Sequence, residues 1–157
     1  MKAIVTGSFD PFTLGHLEIV KKALKKYDEV YVVALNNEAK TYMFSQNERK
    51  AIIEKSTKGL NGVVVDAYSG LTADYMNKHG ITNIVRGIRN EKDRAYEKKL
   101  AEKMQEFNPD FHTELIECPP SLANISSTEA RNRITTRHPL DGILHPGAIE
   151  YIKQLNK

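Results

Sequence analysis

Gly7-Ser8-Phe9-Asp10-Pro11-Phe12-Thr13-Leu14-Gly15-His16 lies between a short β-prone run, Ala3-Ile4-Val5, and a stretch whose apolar residues Leu17, Val20, Leu24 and Tyr27 fall at helical spacing. Gly7 and Pro11 are turn residues, so the segment reads as the first strand-to-helix joint of an α/β sheet. Open α/β sheets bind ligands beyond the carboxyl ends of their strands. A helix starting near Leu14 would turn unpaired backbone N–H groups and the positive end of its dipole toward that crevice, which favours phosphate. Gly15 lets a ligand come close to the backbone, and His16 sets a side-chain donor on the first turn. The plainer alternative is an ordinary connection in which His16 packs or caps.

Working outward, Val30-Tyr31-Val32-Val33-Ala34-Leu35 is an unbroken apolar run, expected of a second parallel strand buried on both faces. The loop beyond it carries Lys40 and leads to Ser45-Gln46-Asn47-Glu48, a capping box that opens another helix. Val63-Val64-Val65 is a third strand, and Gly70-Leu71-Thr72 begins a helix with Leu71 and Tyr75 on one side and His79 at its end beside Gly80. Ile84-Val85 begins a fourth strand that ends in Arg86-Gly87-Ile88-Arg89. Two arginines flanking a glycine there are well shaped for phosphate oxygens, with surface salt bridges as the alternative.

A helix over Asp93 to Phe107 is expected to bury Tyr96, Leu100, Met104 and Phe107, leaving Glu97 off that stripe. Leu115-Ile116 gives a fifth strand, which Pro119-Pro120 stops. Ser126-x-x-Glu129 is a second capping box, and Ser126, Ser127 and Thr128 set three hydroxyls at a helix N-terminus. Pro146 opens a last helix that packs through Ile149 and Ile152. His112, His138 and His145 have no metal-ligand spacing.

The strict alternation of strand and helix predicts a single α/β domain over residues 1–157, built on a doubly wound five-stranded parallel sheet. A length of 157 residues and no shift in composition agree with one domain. The net charge of +3 is mild, and acidic and basic residues interleave, as in Glu91-Lys92-Asp93-Arg94; this argues against a nucleic-acid stripe. Cys118 stands alone, which excludes an internal disulfide and fits a reducing compartment. No signal peptide or membrane-length apolar run is visible, so a cytoplasmic location and no membrane partner are expected.

Each unusual cluster falls at one edge of such a sheet: Ser8 to His16, Lys40, Arg86 to Arg89, and Ser126 to Thr128. Two helix N-termini, a His, a Lys and two Arg, with no obvious nucleophile or carboxylate dyad, suit binding of several phosphates. Chemistry there would proceed by positioning and charge neutralisation, as phosphoryl or nucleotidyl transfer requires. The absence of Gly-x-x-x-x-Gly-Lys-[Ser/Thr] and of Gly-x-Gly-x-x-Gly argues against a P-loop ATPase and a nicotinamide enzyme.

In this order, Gly7-Ser8-Phe9-Asp10-Pro11 with Thr13-Leu14-Gly15-His16, Lys40 ahead of Met43-Phe44, Arg86-Gly87-Ile88-Arg89, Tyr96-Glu97 and Ile125-Ser126-Ser127-Thr128 resemble the bacterial phosphopantetheine adenylyltransferases. These form a family within the nucleotidyltransferases that carry a [His/Thr]-x-Gly-His motif. The resemblance covers essentially the whole chain. It implies a Rossmann-like nucleotidyltransferase fold and adenylyl transfer from ATP to 4′-phosphopantetheine, with Mg²⁺ as cofactor and a homohexameric assembly. It implies that His16, Lys40 and Arg89 are catalytic, and that Ser8, Lys40, Thr72 and Arg86 bind the acceptor. The ATP contacts it implies are Ser8, Phe9, His16, Gly87, Ile88, Arg89 and Glu97, together with Leu122, Ala123, Asn124, Ile125, Ser126, Ser127 and Thr128. The metal's ligands are not legible in the sequence.

Two departures from the family pattern stand out. Leu122 replaces a common Trp near the adenine, and Ser126-Ser127-Thr128-Glu129-Ala130-Arg131 also resembles the Ser-Ser-Thr-x-x-Arg of nicotinate mononucleotide adenylyltransferases. Transfer to nicotinate mononucleotide, or from CTP to an alcohol phosphate, is therefore the nearest rival. A non-catalytic nucleotide sensor on the same fold is a rival of another class, disfavoured by the joint presence of His16, Lys40 and Arg89.

Overall fold

The computed structural model describes residues 1–155 and contains five parallel strands. These are β1 (Lys2–Gly7), β2 (Glu29–Leu35), β3 (Val63–Tyr68), β4 (Asn83–Ile88) and β5 (His112–Glu117), in the order β3-β2-β1-β4-β5. The helices are α1 (Leu14–Leu24), α2 (Gln46–Ser56), α3 (Thr72–His79), α4 (Glu91–Phe107), α5 (Ser127–Thr136) and α6 (Pro146–Gln154). One buried cluster joins α1, α2 and α6 to one face of the sheet through Val20, Ile52, Ile53 and Ile152. A second sets Tyr75 and Met76 of α3 against Ile4, Val33 and Ile84 on the other. Both faces are therefore covered, which is why the strands read as continuous apolar runs.

The strand order positions the site. From β1 the chain winds outward to β2 and β3, then returns to lay β4 on the other side of β1, so the winding reverses between β1 and β4. A crevice forms beyond the carboxyl ends of the strands at such a point. The β1–β2 ladder continues to Gly7, opposite Ala34, whereas the β1–β4 pairing covers Ala3 with Asn83 and Ile4 with Ile84 and goes no further. Beyond that point Arg86 bridges the opening, its Nη1 donating to the Thr6 carbonyl at 3.0 Å. A side chain thus satisfies a carbonyl that a continued ladder would have used.

As the sequence indicates, Arg86, Gly87 and Ile88 form the last residues of β4, paired with Leu115, Ile116 and Glu117 of β5, and Arg89 follows just beyond the strand. Gly87 serves packing there: a Cβ would come within 2.9 Å of Ile19 Cγ1, so its absence lets α1 sit close on the strand. On α4, Tyr96 and Phe107 are not buried; they are 60% and 59% exposed. The sheet-facing line is instead Asp93, Glu97, Leu100 and Met104, rotated from the expected stripe because Arg86 offers Glu97 a buried partner. Leu71 is likewise exposed as the residue preceding α3, while Tyr75 is buried as expected.

Candidate active site

At the β1/β4 switch lies a cavity of about 500 Å³, within the range of ligand sites. His16, Lys40, Arg86, Arg89, Ser126 and Ser127 all line it, so segments distant in sequence meet there. The first connection is held at both ends. Phe9 adopts a left-handed φ of 49°, costly for an aromatic residue, and its buried ring packs edge-on against Phe12 and His16 at 5.2 and 5.0 Å. Asp10, also buried, accepts the backbone N–H groups of Met43 and Phe44 at 2.9 and 3.0 Å, tying this connection to the loop that carries Lys40.

His16 occupies the first turn of α1 and closes a reciprocal cap. Thr13 Oγ1 accepts from the His16 backbone N–H at 3.3 Å, and His16 Nδ1 accepts from the Thr13 backbone N–H at 2.9 Å. The ring therefore caps the helix, but with one nitrogen only. Because Nδ1 is an acceptor, the neutral ring carries its proton on Nε2, which leaves a donor for a ligand. Burial, reinforced by the positive charges of Arg86 and Arg89, lowers its pKa from 6.5 to about 4. The imidazole is thus neutral at physiological pH.

A ring-proton NMR titration of the ligand-free protein should find the His16 midpoint near 4; a midpoint near 6.5 would contradict the enclosed, Nδ1-accepting arrangement. The linkage has a definite sign. Between pH 6.5 and 4 the unfolded chain binds a proton at His16 that the folded chain does not, so this group's contribution to stability is complete above 6.5 and is lost as pH falls toward 4.

Lys40 is exposed, and its Nζ donates to Ser8 Oγ at 3.4 Å across the mouth of the cavity. Arg86 is held by the buried Glu97 in a bidentate pair, Nε to Oε2 at 2.9 Å and Nη2 to Oε1 at 3.1 Å. This fork fixes the guanidinium plane before any ligand arrives. Arg89 is looser: its backbone N–H donates to Asp93 Oδ2, its Nε lies 3.5 Å from the same carboxylate, and Nη1 donates to the Ala123 carbonyl at 3.4 Å.

At the start of α5, Ser126 Oγ accepts from the Glu129 backbone N–H. The return half of the expected capping box is not made, because the Glu129 carboxylate pairs with Arg133 at 2.9 Å. Ser127 Oγ donates to the Pro11 carbonyl at 2.8 Å, fastening α5 to the first connection. Thr128 Oγ1 accepts from Arg131, whose Nη1 donates to the Asp10 carbonyl at 2.8 Å.

Of the residues singled out in the sequence, Ser8, Phe9, Gly87, Glu97 and Ile125 also line the cavity. Ile88, Leu122, Ala123, Asn124, Thr128 and Thr72 do not. Ile88 is buried in β4, and Thr72 lies at the start of α3 near the same sheet edge. Asp10, Asp93 and Arg131 line the cavity without having been assigned a role, and so does Cys118. Burial pushes the Cys118 thiol above its ordinary pKa, against the opposing pull of Arg89 and Lys22.

A doubly wound parallel sheet with two helix N-termini and cationic side chains around its switch point is the architecture of a nucleotidyltransferase, and the chain belongs to the cytidylyltransferase-like family, whose pattern matches residues 4–133. It is similar in particular to proteins named phosphopantetheine adenylyltransferase. That of Bdellovibrio bacteriovorus is 38% identical over 148 residues, 94% of this chain and 92% of the relative. That of Staphylococcus haemolyticus is 32% identical over 153 residues, covering 98% and 95%, and that of Staphylococcus saprophyticus 37% over 127 residues, covering 81% and 79%.

Proposed function

We propose that this chain transfers the adenylyl group of ATP to the phosphate of 4′-phosphopantetheine, giving dephospho-coenzyme A and pyrophosphate. Similarity to phosphopantetheine adenylyltransferases over nearly the full length of both chains supports the substrates. The observation that carries the chemistry is the neutral His16, protonated at Nε2, on the same cavity as Lys40 and Arg89.

The acceptor phosphate is already anionic, so no general base is needed. The barrier is to bring that anion in line with the α-phosphorus while charge builds on the surrounding oxygens. In this reading His16 Nε2–H donates to the α-phosphate, and its neutrality means that it takes up no proton on binding. Lys40 and Ser8 hold the attacking phosphate, with Arg86, preset by Glu97, as the anchor of the acceptor. Arg89 binds the ATP phosphates, and the N-terminus of α5 receives the β and γ groups. Leaving as pyrophosphate, those groups carry the electron pair of the broken bond.

The donor set does not fit a resident metal centre. The carboxylates that line the cavity are engaged: Asp10 with backbone N–H groups, Asp93 with Arg89, and Glu97 with Arg86. Among the described residues no group of three or more His, Cys, Asp or Glu is placed to hold an ion. Mg²⁺ accordingly belongs to this proposal as the complex of the triphosphate that enters as substrate. Homohexameric assembly and a cytoplasmic location are part of the same proposal; among the described residues no helix is long and apolar enough to cross a membrane.

Pyrophosphate release from ATP and from CTP, with 4′-phosphopantetheine and nicotinate mononucleotide offered separately, tests the assignment. Release is expected with ATP and 4′-phosphopantetheine. Preference for nicotinate mononucleotide would transfer the assignment to the enzymes whose Ser-Ser-Thr-x-x-Arg this chain shares, and release with CTP alone would overturn the adenylyl donor.

A further inference from the structure

Arg49 lies one turn into α2, in register with Ile52, Ile53 and Ser56 on the buried face, and is itself fully buried. Its Nε donates to the Phe44 carbonyl at 3.2 Å, Nη1 to the Ser8 and Leu35 carbonyls at 2.8 and 2.7 Å, and Nη2 to Asn36 Oδ1 at 2.8 Å. The guanidinium plane also stacks on Tyr42, 3.9 Å from the ring centroid. These bonds all go to neutral oxygens, and the nearby counter-charge is Asp10, whose carboxylate is held by Met43 and Phe44.

The bonded segments are those that present Ser8 and Lys40. Ser8 lies on the first connection; Leu35 ends β2 and Asn36 follows it, where the Lys40 loop departs; Tyr42 and Phe44 lie where that loop returns toward α2. An apolar side chain at position 49 would bury as well, but it would leave the Ser8 and Leu35 carbonyls without this donor. A buried charge with no directly bonded carboxylate among the described residues is costly to keep, and the fork geometry of arginine is what lets one group reach all these oxygens.

We infer that Arg49 is a positioning residue: it fixes the Ser8 and Lys40 segments against each other so that both meet the attacking phosphate in line. The inference rests on the reaction proposed above. Catalysis by orientation is steep, a misplacement of about 1 Å costing on the order of a hundredfold in rate.

The test is a double-mutant cycle of Arg49→Lys with Lys40→Ala, reading kcat, KM for ATP and for 4′-phosphopantetheine, and the thermal midpoint. Lysine keeps the charge but loses the fork. Arg49→Lys alone should lower kcat by about ten- to a hundredfold, leaving KM for ATP within about twofold. In the Lys40→Ala background the same change should cost at least about threefold less than in the wild-type background, because one of the two groups being positioned is gone. Equal losses in both backgrounds, or a lowered midpoint with kcat unchanged, would overturn the inference while leaving the reaction intact. Full turnover by Lys40→Ala alone would overturn both. If Arg49→Lys does not fold, Asn36→Ala, which removes only the Nη2 acceptor, takes its place in the cycle with the same criteria.

Discussion

Replacing His16 by alanine is expected to lower kcat by about a thousandfold while changing ATP affinity by less than about threefold. The expectation follows from the state of the ring. With Nδ1 committed to the Thr13 N–H and a pKa near 4, His16 offers a neutral Nε2–H. In the proposed reaction such a donor gains little from the ground-state α-phosphate and gains most when charge builds on that phosphate during transfer. A preorganised donor of this kind is worth roughly two to three orders of magnitude. The substitution also removes an acceptor from the first turn of α1, a loss of about 1 kcal/mol of stability that a thermal midpoint separates from the kinetic effect. Measured by steady-state kinetics and by ATP titration, a loss confined to affinity would remove the role given to His16.

Lys40→Ala is expected to reduce kcat/KM for 4′-phosphopantetheine by about a hundredfold or more, with KM for ATP little altered. Lys40 is exposed on a loop, and among the described residues its side chain hydrogen-bonds only the Ser8 hydroxyl, at 3.4 Å, so its ammonium can move onto an incoming phosphate. The protein without it should fold normally, since no buried group depends on that contact. The measurement is a substrate matrix in ATP and acceptor. An equal loss in both substrates' kcat/KM with no change in kcat would show a general electrostatic effect in place of a contact to the attacking phosphate.

The fold was legible because its signals are local and agree with one another. Apolar runs at Val30 to Leu35 and Val63 to Val65, the Ser45-x-x-Glu48 box and Gly80 at the end of α3 each mark an element where the structure has one. The alternation of these elements fixed the sheet as parallel, and the edge on which the polar clusters meet followed from it. What failed was legible only in three dimensions. Tyr96 and Phe107 have the right hydrophobicity to be buried, yet α4 is turned by the pairing of Arg86 with Glu97, a long-range electrostatic contact that helical periodicity cannot register. The capping box at Ser126 failed in the same way, through competition from Arg133 for Glu129.

The site was legible in its loops and obscure in its supports. Ser8, His16, Lys40, Arg89 and Ser127 stand in motifs, and all of them line the one cavity. Asp10 and Arg49 act from beneath, and their chemistry points at backbone groups that a sequence does not display. Arg49 did leave a trace, a charge set among Ile52, Ile53 and Ser56 on the apolar face of a helix. A cation in that register needs either a partner or a purpose.

The central claim is that these segments hold ATP and an acceptor phosphate together for direct displacement at the α-phosphorus, with no group of the protein taking the adenylyl moiety in between. The stereochemical course at that phosphorus tests it most directly, using ATP made chiral at the α position and 4′-phosphopantetheine as acceptor. A single in-line transfer predicts inversion in the dephospho-coenzyme A formed. Retention would reveal two displacements through an adenylylated side chain and would contradict the account.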